Sequence, residues 1–415
     1  MAVSYQARVV FPVDRPPIEH GAVTVEGTRI VEVGKERGGG EFTDLGSVAL
    51  FPGLVNAHTH LEFSNLRQPL GTRGMSLPEW IRLVIAQRGR TDKLDSTALA
   101  NGYRESIEWG ATTIGNITTS FNAAPGDVCN FYEVIGFSRA RAESSLHSVT
   151  SLFEIRSRVR MVDPPVGWGP IDLPCHGISP HAPYTVSPKL LVELVALANR
   201  RELPVAMHIA ESREELELLR SGTGPFQSLL DERSMWDAEA IPKGSRPLDY
   251  LKMLADAPRA LVVHGNYLDD EELQFLATNR DRMSLAYCPR THAFFGHEPY
   301  PLAQALTLGV RVALGTDSRA SNPDLDMLAE MRFVAQTHSK VAPRDILRMG
   351  TIAGAEALGR EEDVGSLTPG KLANMIAVPI ADDMRGGAES VLEHILSSEK
   401  SASTVWMRRS LLRGA

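Results

Sequence analysis

The chain has 415 residues, of which 43% are apolar, and a formal net charge of −8. This composition suits a globular protein with a large core, and the acidic balance argues against a nucleic-acid or anionic-membrane surface. Three widely separated cysteines, an amino end without a secretory pattern and the lack of a membrane-spanning apolar run predict a cytoplasmic protein.

The first 51 residues predict short strands joined by turns. Between residues 21 and 34, two β-branched runs flank a Glu-Gly pair, which is typical of a hairpin. The most hydrophobic run near the amino end, residues 48–55, predicts a buried strand that is approached through a Pro-Gly turn, and His58 and His60 follow it. Because alternate residues of a strand share a face, these two histidines could chelate one divalent ion; the alternative is a polar loop that happens to contain both.

Seven further strand predictions follow, separated by segments with helical patterning. They cover residues 111–117, 131–136, 176–179, 205–209, 260–264, 283–288 and 311–316. Strands that alternate with helices predict a parallel sheet, and eight such units over about three hundred residues favour a closed barrel.

The fold prediction is therefore α/β, with a (β/α)8 TIM barrel over residues 52–365. Residues 1–51 and 366–415 are predicted to form a small composite β-sandwich from the two chain ends. In the second of these ranges, residues 371–379 and 404–412 are the strand predictions. Residues 162–174, which are rich in proline and glycine, predict a long loop.

Another strand end combines a candidate metal ligand with an acid. His208 lies in the predicted strand 205–209 between two alanines, whose small side chains leave room for a metal or a ligand. Ser212 and Glu215 form a capping-box pattern, which places Glu211 in the strand-to-helix turn, where barrel enzymes hold catalytic groups. Glu211 could instead serve only the dipole of the following helix; beside a candidate ligand, we interpret it as catalytic.

Two further strand ends carry chemically active residues. Residues 260–264 end in His264, and residues 311–316 are followed by Asp317. A carboxylate at the end of a buried strand is unfavourable unless it is paired or bound to a metal. Any one of these residues could be an ordinary core side chain, but four strands that end in His, His, His and Asp are better explained by one metal site.

The motifs around these residues resemble the amidohydrolase superfamily along nearly the whole chain. The motifs are residues 51–62, 179–184, 208–211, 263–265 and 315–322. Together they are similar to the branch that contains S-adenosylhomocysteine, methylthioadenosine and aminodeoxyfutalosine deaminases, guanine deaminase and triazine hydrolases. The resemblance implies a (β/α)8 barrel with a composite β-sandwich, in agreement with the strand pattern.

The resemblance also implies a role for each site residue. One divalent metal ion per chain, zinc or alternatively iron, would be bound by His58, His60, His208 and Asp317. His264 would hold the attacking water, Glu211 would carry protons, and His181 would contact the substrate. Asp317 would also be catalytic, because it can take a proton from the water. A second metal would require a bridging lysine after the fourth strand, and none lies between residues 175 and 187.

The expected substrate contacts lie in two segments. The sequence after the seventh strand departs from the Pro-x-Ser-Asn motif that is common in the branch, and we expect Arg290 and His292 at the mouth of the pocket. The loop after the first strand, which contains Trp80 and Arg82, is expected to close over the substrate. Trp80 could instead be a core residue on a helix face.

These features favour a metal-dependent hydrolytic deaminase that releases ammonia from an amino-substituted N-heterocycle, for example aminodeoxyfutalosine or S-adenosylhomocysteine. An alternative is hydrolysis of another C–N or C–halogen bond, in a cyclic amide or a triazine. An alternative of another class is a non-catalytic binding barrel, although such proteins usually lack metal ligands. We expect a small-molecule substrate, no nucleic-acid or membrane partner, and a homo-oligomer, with a dimer as the expected form.

Overall fold

The computed structural model describes residues 2–35, 41–88, 96–120, 126–158 and 175–398. Seven strands precede the barrel: β1 (Ala2–Gln6), β2 (Val9–Val10), β3 (Ile18–Glu19), β4 (Ala22–Glu26), β5 (Arg29–Gly34), β6 (Glu41–Asp44) and β7 (Val48–Pro52). Eight strands form the barrel: β8 (Leu54–Thr59), β9 (Ala111–Thr118), β10 (Val128–Val134), β11 (His176–Pro180), β12 (Val205–Ile209), β13 (Ala260–His264), β14 (Met283–Tyr287) and β15 (Val312–Leu314). β16 (Met375–Pro379) follows the barrel.

Ten helices lie between the barrel strands along the described chain, and four more follow the last barrel strand. They are α1 (Leu77–Arg88), α2 (Ser96–Glu108), α3 (Arg139–Arg158), α4 (Pro188–Arg201), α5 (Arg213–Ser221), α6 (Pro225–Glu232), α7 (Pro247–Leu254), α8 (Asp270–Thr278), α9 (Pro289–Phe295), α10 (Leu302–Leu308), α11 (Met327–Thr337), α12 (Pro343–Met349), α13 (Ile352–Leu358) and α14 (Ala388–Ser397). None of the described helices is both long enough and apolar enough to cross a membrane.

The eight barrel strands are parallel and lie in sequence order from β8 to β15, which confirms the predicted barrel. Between the first and last strands, hydrogen bonds of the Asn56 side chain replace a regular ladder of backbone hydrogen bonds. Its Oδ1 atom accepts a hydrogen bond from Thr316 N at 3.1 Å, and its Nδ2 atom donates to Thr316 Oγ1 at 2.8 Å. Asp317 N also donates to the carbonyl oxygen of His58 at 3.1 Å. These contacts nearly close the barrel at the carboxyl ends of its strands.

Two small mixed sheets, built from the terminal regions, lie beside the barrel. One has the strand order β5-β4-β1-β6 and the other has the order β16-β7-β2-β3. Tyr5 and Val23 of the first sheet share one buried apolar cluster with Leu50 and Met375 of the second. Burial of these side chains holds the sheets together, as predicted for a composite sandwich.

The domain boundaries at residues 51/52 and 365/366 stay predictions. The predicted strand 404–412 and the predicted loop 162–174 lie outside the described residues.

The apolar run at residues 48–55 forms parts of two strands, whereas the sequence predicts one. Its first part is β7 in a terminal sheet, and its last part begins β8 in the barrel. Gly53 separates them: its N–H donates to the carbonyl oxygen of Asn374, and a Cβ at this position would lie 2.1 Å from Thr112 Oγ1. Only glycine allows this close approach, so the chain passes between the two layers at this residue.

Candidate metal and catalytic site

Four barrel strands bring their carboxyl ends together around one buried cluster. His58 is in β8, His208 is in β12, His264 ends β13, and Asp317 follows β15. The potential ligand atoms form two overlapping sets, His58–His208–His264 and His58–His60–Asp317, and the atoms of each set lie within 4.8 Å of one another. The structure therefore brings together the four residues for which the sequence predicts metal binding, and it places His264 beside them.

The donor atoms of this cluster fit a divalent cation. Asp317 Oδ1 is 3.6 Å from His58 Nε2 and 3.8 Å from His60 Nε2. His58 is fully buried, yet neither of its ring nitrogens makes a hydrogen bond to a described residue. Because buried polar groups are normally satisfied, unpaired imidazole nitrogens that face a carboxylate indicate a bound ion. Imidazoles and one carboxylate are ligands that zinc prefers.

Hydrogen bonding sets the tautomer of His208. Its Nδ1 atom lies 2.8 Å from the carbonyl oxygen of His181, and because a carbonyl only accepts, Nδ1 carries the proton. Nε2 therefore keeps its lone pair for a metal, an arrangement typical of metal-binding histidines. Burial lowers the pKa of His208 well below its usual value, and the neighbouring His58 lowers it further; the same two causes lower the pKa of His60. The neutral imidazole, which is the form that binds metals, is favoured.

The backbone is unusual at three strand ends of the cluster. Ala210, His264 and Asp317 have φ values of 52°, 68° and 55°, in the left-handed region that residues other than glycine seldom adopt. Such conformations concentrate at functional sites, where the surrounding structure holds them in place. Gly315 has a related role, because a Cβ at this position would lie 2.8 Å from the carbonyl oxygen of His58. Glycine therefore allows the last barrel strand to approach the first.

Glu211 lies at the edge of the cluster, held by a second carboxylate. Its Oε1 atom is 3.4 Å from His264 Nε2. The buried Glu215 accepts hydrogen bonds from the backbone N–H groups of Ala210, at 2.7 Å, and of Glu211, at 3.0 Å. The predicted capping box is therefore only half formed: Ser212 Oγ accepts from Glu215 N at 3.3 Å, but the Glu215 carboxylate binds the strand end instead of the N–H of Ser212.

The surroundings of Glu211 favour its protonated form. Burial raises the pKa of Glu211 well above its usual value, and the carboxylates of Asp317 and Glu215 raise it further. Asp317 is hydrogen-bonded on the opposite side, where Ser321 Oγ donates to its Oδ2 atom at 2.7 Å. The Oδ1 atom of Asp317 is thus left to face the histidines. The site combines a carboxyl group that can hold a proton with a carboxylate positioned at the cluster.

A cavity of about 340 Å³ opens in front of the cluster. Its polar end is formed by His60, His208, Glu211, His264 and Asp317. The rest of the wall is largely apolar and includes Phe63, Ile81, Val84, Phe226, Leu230 and Met235. A cavity of this size, with a few convergent polar groups, suits a small organic ligand.

The structure places His181 and Trp80 in the cavity wall. Trp80 belongs to helix α1, which agrees with the helix-face alternative and not with the predicted loop. Its Nε1 atom donates to the carbonyl oxygen of Ala320 at 3.1 Å. Arg82 is not in the cavity wall formed by the described residues; it makes a two-pronged ion pair with Glu232 on α6 at 2.8 and 2.7 Å. Helix α1 therefore covers the cavity with its apolar side.

Arg290 and His292 are not brought to the cavity wall in the part of the chain that the structure describes. Arg290 Nε donates to Glu330 Oε1 at 2.7 Å, and the guanidinium also pairs with Asp324. Because Glu330 is fully buried, it requires a cation, and this requirement turns Arg290 away from the cavity. His292 is buried against the ring of Tyr287, at a centroid distance of 5.7 Å. The expected substrate contacts of Arg290 and His292 have no support from this placement.

The Arg290–Glu330 pair has a testable consequence for stability. Arg290→Met is expected to lower the free energy of unfolding by about 3 kcal/mol, because it leaves a buried carboxylate without its cation. Arg139→Met is the matched control, since Arg139 and Glu143 form an ion pair that is largely exposed, and such pairs contribute little. Urea titration of both variants measures the difference. Equal stabilities of the two variants would contradict the structural role of Arg290.

Several residues that support the site are not apparent as such from the sequence. Asn56 and Ser321 position the first and last strand ends, and Glu215 positions the strand end that carries Glu211. Of these three residues, the sequence pattern singles out only Glu215, because it lies three residues after Ser212. That pattern indicates helix capping and not a contact that supports the site. Glu133 also lines the cavity, and its position within a buried strand gave no indication of a ligand contact.

Comparison with known proteins identifies the family. Residues 174–401 match the Amidohydrolase family. The 5-methylthioadenosine/S-adenosylhomocysteine deaminase of Pyrococcus furiosus is 30% identical over 381 residues, which cover 85% of this chain and 80% of that protein. A structure of Helicobacter pylori aminofutalosine deaminase in complex with methylthio-coformycin has a TM-score of 0.81 at 21% identity, with 95% of this chain and 96% of that chain covered.

A zinc-bound adenosine deaminase from Xanthomonas campestris has a TM-score of 0.74 at 22% identity, with 98% of this chain and 91% of that chain covered. The similarity to these two solved structures supports the fold. The family match covers more than half of the chain, and the Pyrococcus furiosus relative aligns with most of it. The resemblance predicted from the motifs is confirmed: the chain belongs to the amidohydrolase family.

Proposed function

We propose that the protein is a metal-dependent hydrolytic deaminase that releases ammonia from an adenosine-type nucleoside. The observation that carries this proposal is the buried Glu211 carboxyl group, 3.4 Å from His264 and beside the His/Asp cluster at the polar end of the cavity. This arrangement provides both water activation and a proton donor for a ring nitrogen. The Pyrococcus furiosus relative, a deaminase of 5-methylthioadenosine and S-adenosylhomocysteine, supports the substrate class.

The proposed cofactor is one zinc ion per chain, with iron as the alternative. When bound, such an ion lowers the pKa of a coordinated water toward about 7, which supplies hydroxide at neutral pH. The zinc in the Xanthomonas campestris structure supports this choice of metal. The proposed ligands are His58, His60, His208 and Asp317.

The remaining chemistry is carried by side chains that move or hold protons. Hydrolytic deamination adds the oxygen of water to the carbon that bears the amino group, and that group leaves as ammonia. His264 Nε2 orients the water, and Asp317 Oδ1 accepts a proton from it. Glu211 donates its proton to the adjacent ring nitrogen, which makes the carbon more electrophilic. Asp317 then passes the proton that it took from water to the departing amino group, and Glu211 regains a proton from the new hydroxyl group as ammonia leaves. The apolar wall packs against the heterocycle and excludes bulk water.

Ammonia release from a panel of substrates tests the proposal. The panel contains adenosine, methylthioadenosine, S-adenosylhomocysteine, guanine, a chlorotriazine and a cyclic amide, and metal-depleted protein serves as the control. We expect ammonia from at least one adenosine-type compound, with turnover that depends on the metal. Chloride release from the triazine, or ring opening of the amide, without ammonia from any purine would replace the proposal with the alternative hydrolase.

Two further expectations come from the sequence. The protein is expected to be a homodimer in the cytoplasm, and its partner in catalysis is expected to be a small molecule alone. Light scattering after size-exclusion chromatography would determine the oligomeric state.

A further inference from the structure

Two of the three cysteines lie side by side at the amino end of the barrel, whereas the histidine cluster lies at the carboxyl ends of the strands. Asn130 of β10 pairs with His176 of β11 in parallel register, and Asn130 N donates to the carbonyl oxygen of Cys175 at 2.9 Å. The residues that precede this pair, Cys129 and Cys175, are therefore also neighbours. Adjacent strands are about 4.8 Å apart, which lies within the range of Cα–Cα distances that a disulfide can bridge.

The two side chains also point to the same side of the sheet. Cys129 Sγ and Cys175 Sγ approach one common atom, the carbonyl oxygen of Leu358, at 4.0 and 3.9 Å. Leu358 ends helix α13 and belongs to the same apolar cluster as Cys129, and Cys175 packs against this cluster. The two thiols therefore share one small volume at the base of the barrel, and both are free.

Cys175 has the features of a reactive thiol. It is partly exposed, whereas Cys129 is fully buried. A hydrogen bond from Cys129 lowers the pKa of Cys175, and the guanidinium groups of Arg360 and Arg259 lower it further, against the opposing effects of burial and of Asp127. A lower pKa increases the fraction of thiolate, which is the nucleophilic form of cysteine.

The other two cysteines lack this combination. Burial raises the pKa of Cys129 well above its usual value, so it keeps its proton until a partner reacts with it. Cys288 is also buried, and burial together with the nearby carboxylate of Asp317 raises its pKa. Ordinary core cysteines would all resemble Cys288. The difference within one chain therefore distinguishes Cys175 as an attacking thiol and Cys129 as the thiol beside it.

We propose that Cys129 and Cys175 are a redox-active dithiol, in which hydrogen peroxide oxidises Cys175 and Cys129 then closes a reversible disulfide. This site is separate from the proposed deaminase site and does not depend on it. In the first step, the Cys175 thiolate attacks one oxygen of the peroxide, the O–O bond breaks, and a sulfenic acid and hydroxide form.

The second step uses the neighbouring thiol. Cys129 loses its proton to the hydroxide, and its sulfur attacks the sulfur of Cys175, so that the S–O bond breaks and the S–S bond forms. The two sulfur atoms together lose two electrons, and the peroxide is reduced to water and hydroxide. Two molecules of a small thiol such as glutathione reverse the reaction by thiol–disulfide exchange.

Peptide mapping by mass spectrometry after treatment with hydrogen peroxide tests the proposal on the full-length, metal-loaded protein. The chain has three cysteines, and we expect one free thiol and a linked Cys129–Cys175 peptide after oxidation, with all three thiols restored by dithiothreitol. In the Cys129→Ala protein, oxidation should stop at a sulfenic acid on Cys175, which dimedone traps. Cys288→Ala is the matched control and should still form the disulfide.

The rate of alkylation provides a second measurement that needs no variant. Iodoacetamide should modify Cys175 in the reduced wild-type protein at least about tenfold faster than Cys288, because the thiolate fraction falls tenfold for each increase of 1 in pKa. Equal rates would contradict the reactive character of Cys175. Three free thiols after peroxide, or a disulfide that includes Cys288 or joins two chains, would overturn the proposal. None of these results depends on ammonia release, which tests the proposed function separately.

Discussion

His58→Ala and Asp317→Ala proteins are expected to be purified without their metal. Each substitution removes one of the proposed ligands, and loss of a ligand should weaken metal binding by at least about 100-fold, the upper range for loss of a group that only supports a ligand. The wild-type protein should contain about one transition-metal ion per chain. Elemental analysis by mass spectrometry after dialysis measures the content directly, without any assay of activity. Turnover should fall with the metal content.

His147→Ala is the matched control for this prediction, because His147 is exposed on α3 and far along the chain from the cluster. It should keep the full metal content. Ser321→Ala should give an intermediate result, since it removes the hydrogen bond to Asp317 Oδ2, together with the contact to Thr291 Oγ1, and keeps the carboxylate. Full metal retention in both the His58→Ala and Asp317→Ala proteins would show that the ligands lie elsewhere.

The fold could be predicted from the sequence because short apolar runs alternate with helical segments over most of the chain. The errors arose where tertiary contacts override local pattern. The run at residues 48–55 contains a Pro-Gly pair that indicates a turn, but the division of the run between two sheets follows only from tertiary contacts such as that between Gly53 and Thr112. Helix α1 entered only as the alternative for Trp80, although Ser76 lies three residues before Glu79, a capping-box pattern that marks a helix start. In the structure, Ser76 Oγ donates to Glu79 Oε2 at 2.7 Å.

The cluster could be predicted because its residues end separate strands, and parallel strands of a barrel end on the same face. The residues around it could not be predicted in the same way. Arg290 pairs with Glu330, which is 40 positions away, and local sequence does not indicate that partner. The contact of Arg88 with Glu133 likewise depends on the packing of α1 over the barrel. Such pairings between distant charged residues follow only from the complete fold.

Removal of the carboxyl proton of Glu211 should test the proposed chemistry directly. Glu215 binds the N–H groups of Ala210 and Glu211, which fixes the turn, and His264 lies 3.4 Å from the Glu211 carboxyl group. Glu211→Gln preserves the size of the side chain and its capacity for hydrogen bonds, but removes the exchangeable carboxyl proton. The fold and the metal content should therefore remain as in the wild-type protein.

Turnover of the Glu211→Gln protein should be lower by roughly 10²–10⁴-fold, the usual contribution of a positioned general acid. The loss should appear mainly in kcat, because the proton is needed in the transition state more than for binding. Glu214→Gln is the matched control. Glu214 lies three residues after Glu211, in the first turn of α5, and is outside the cavity wall formed by the described residues, so turnover should be unchanged. Steady-state kinetics with the best adenosine-type substrate measure both variants. Near-normal turnover of the Glu211→Gln protein would instead favour a leaving group that departs without protonation, such as halide, because hydroxide attack alone would then suffice.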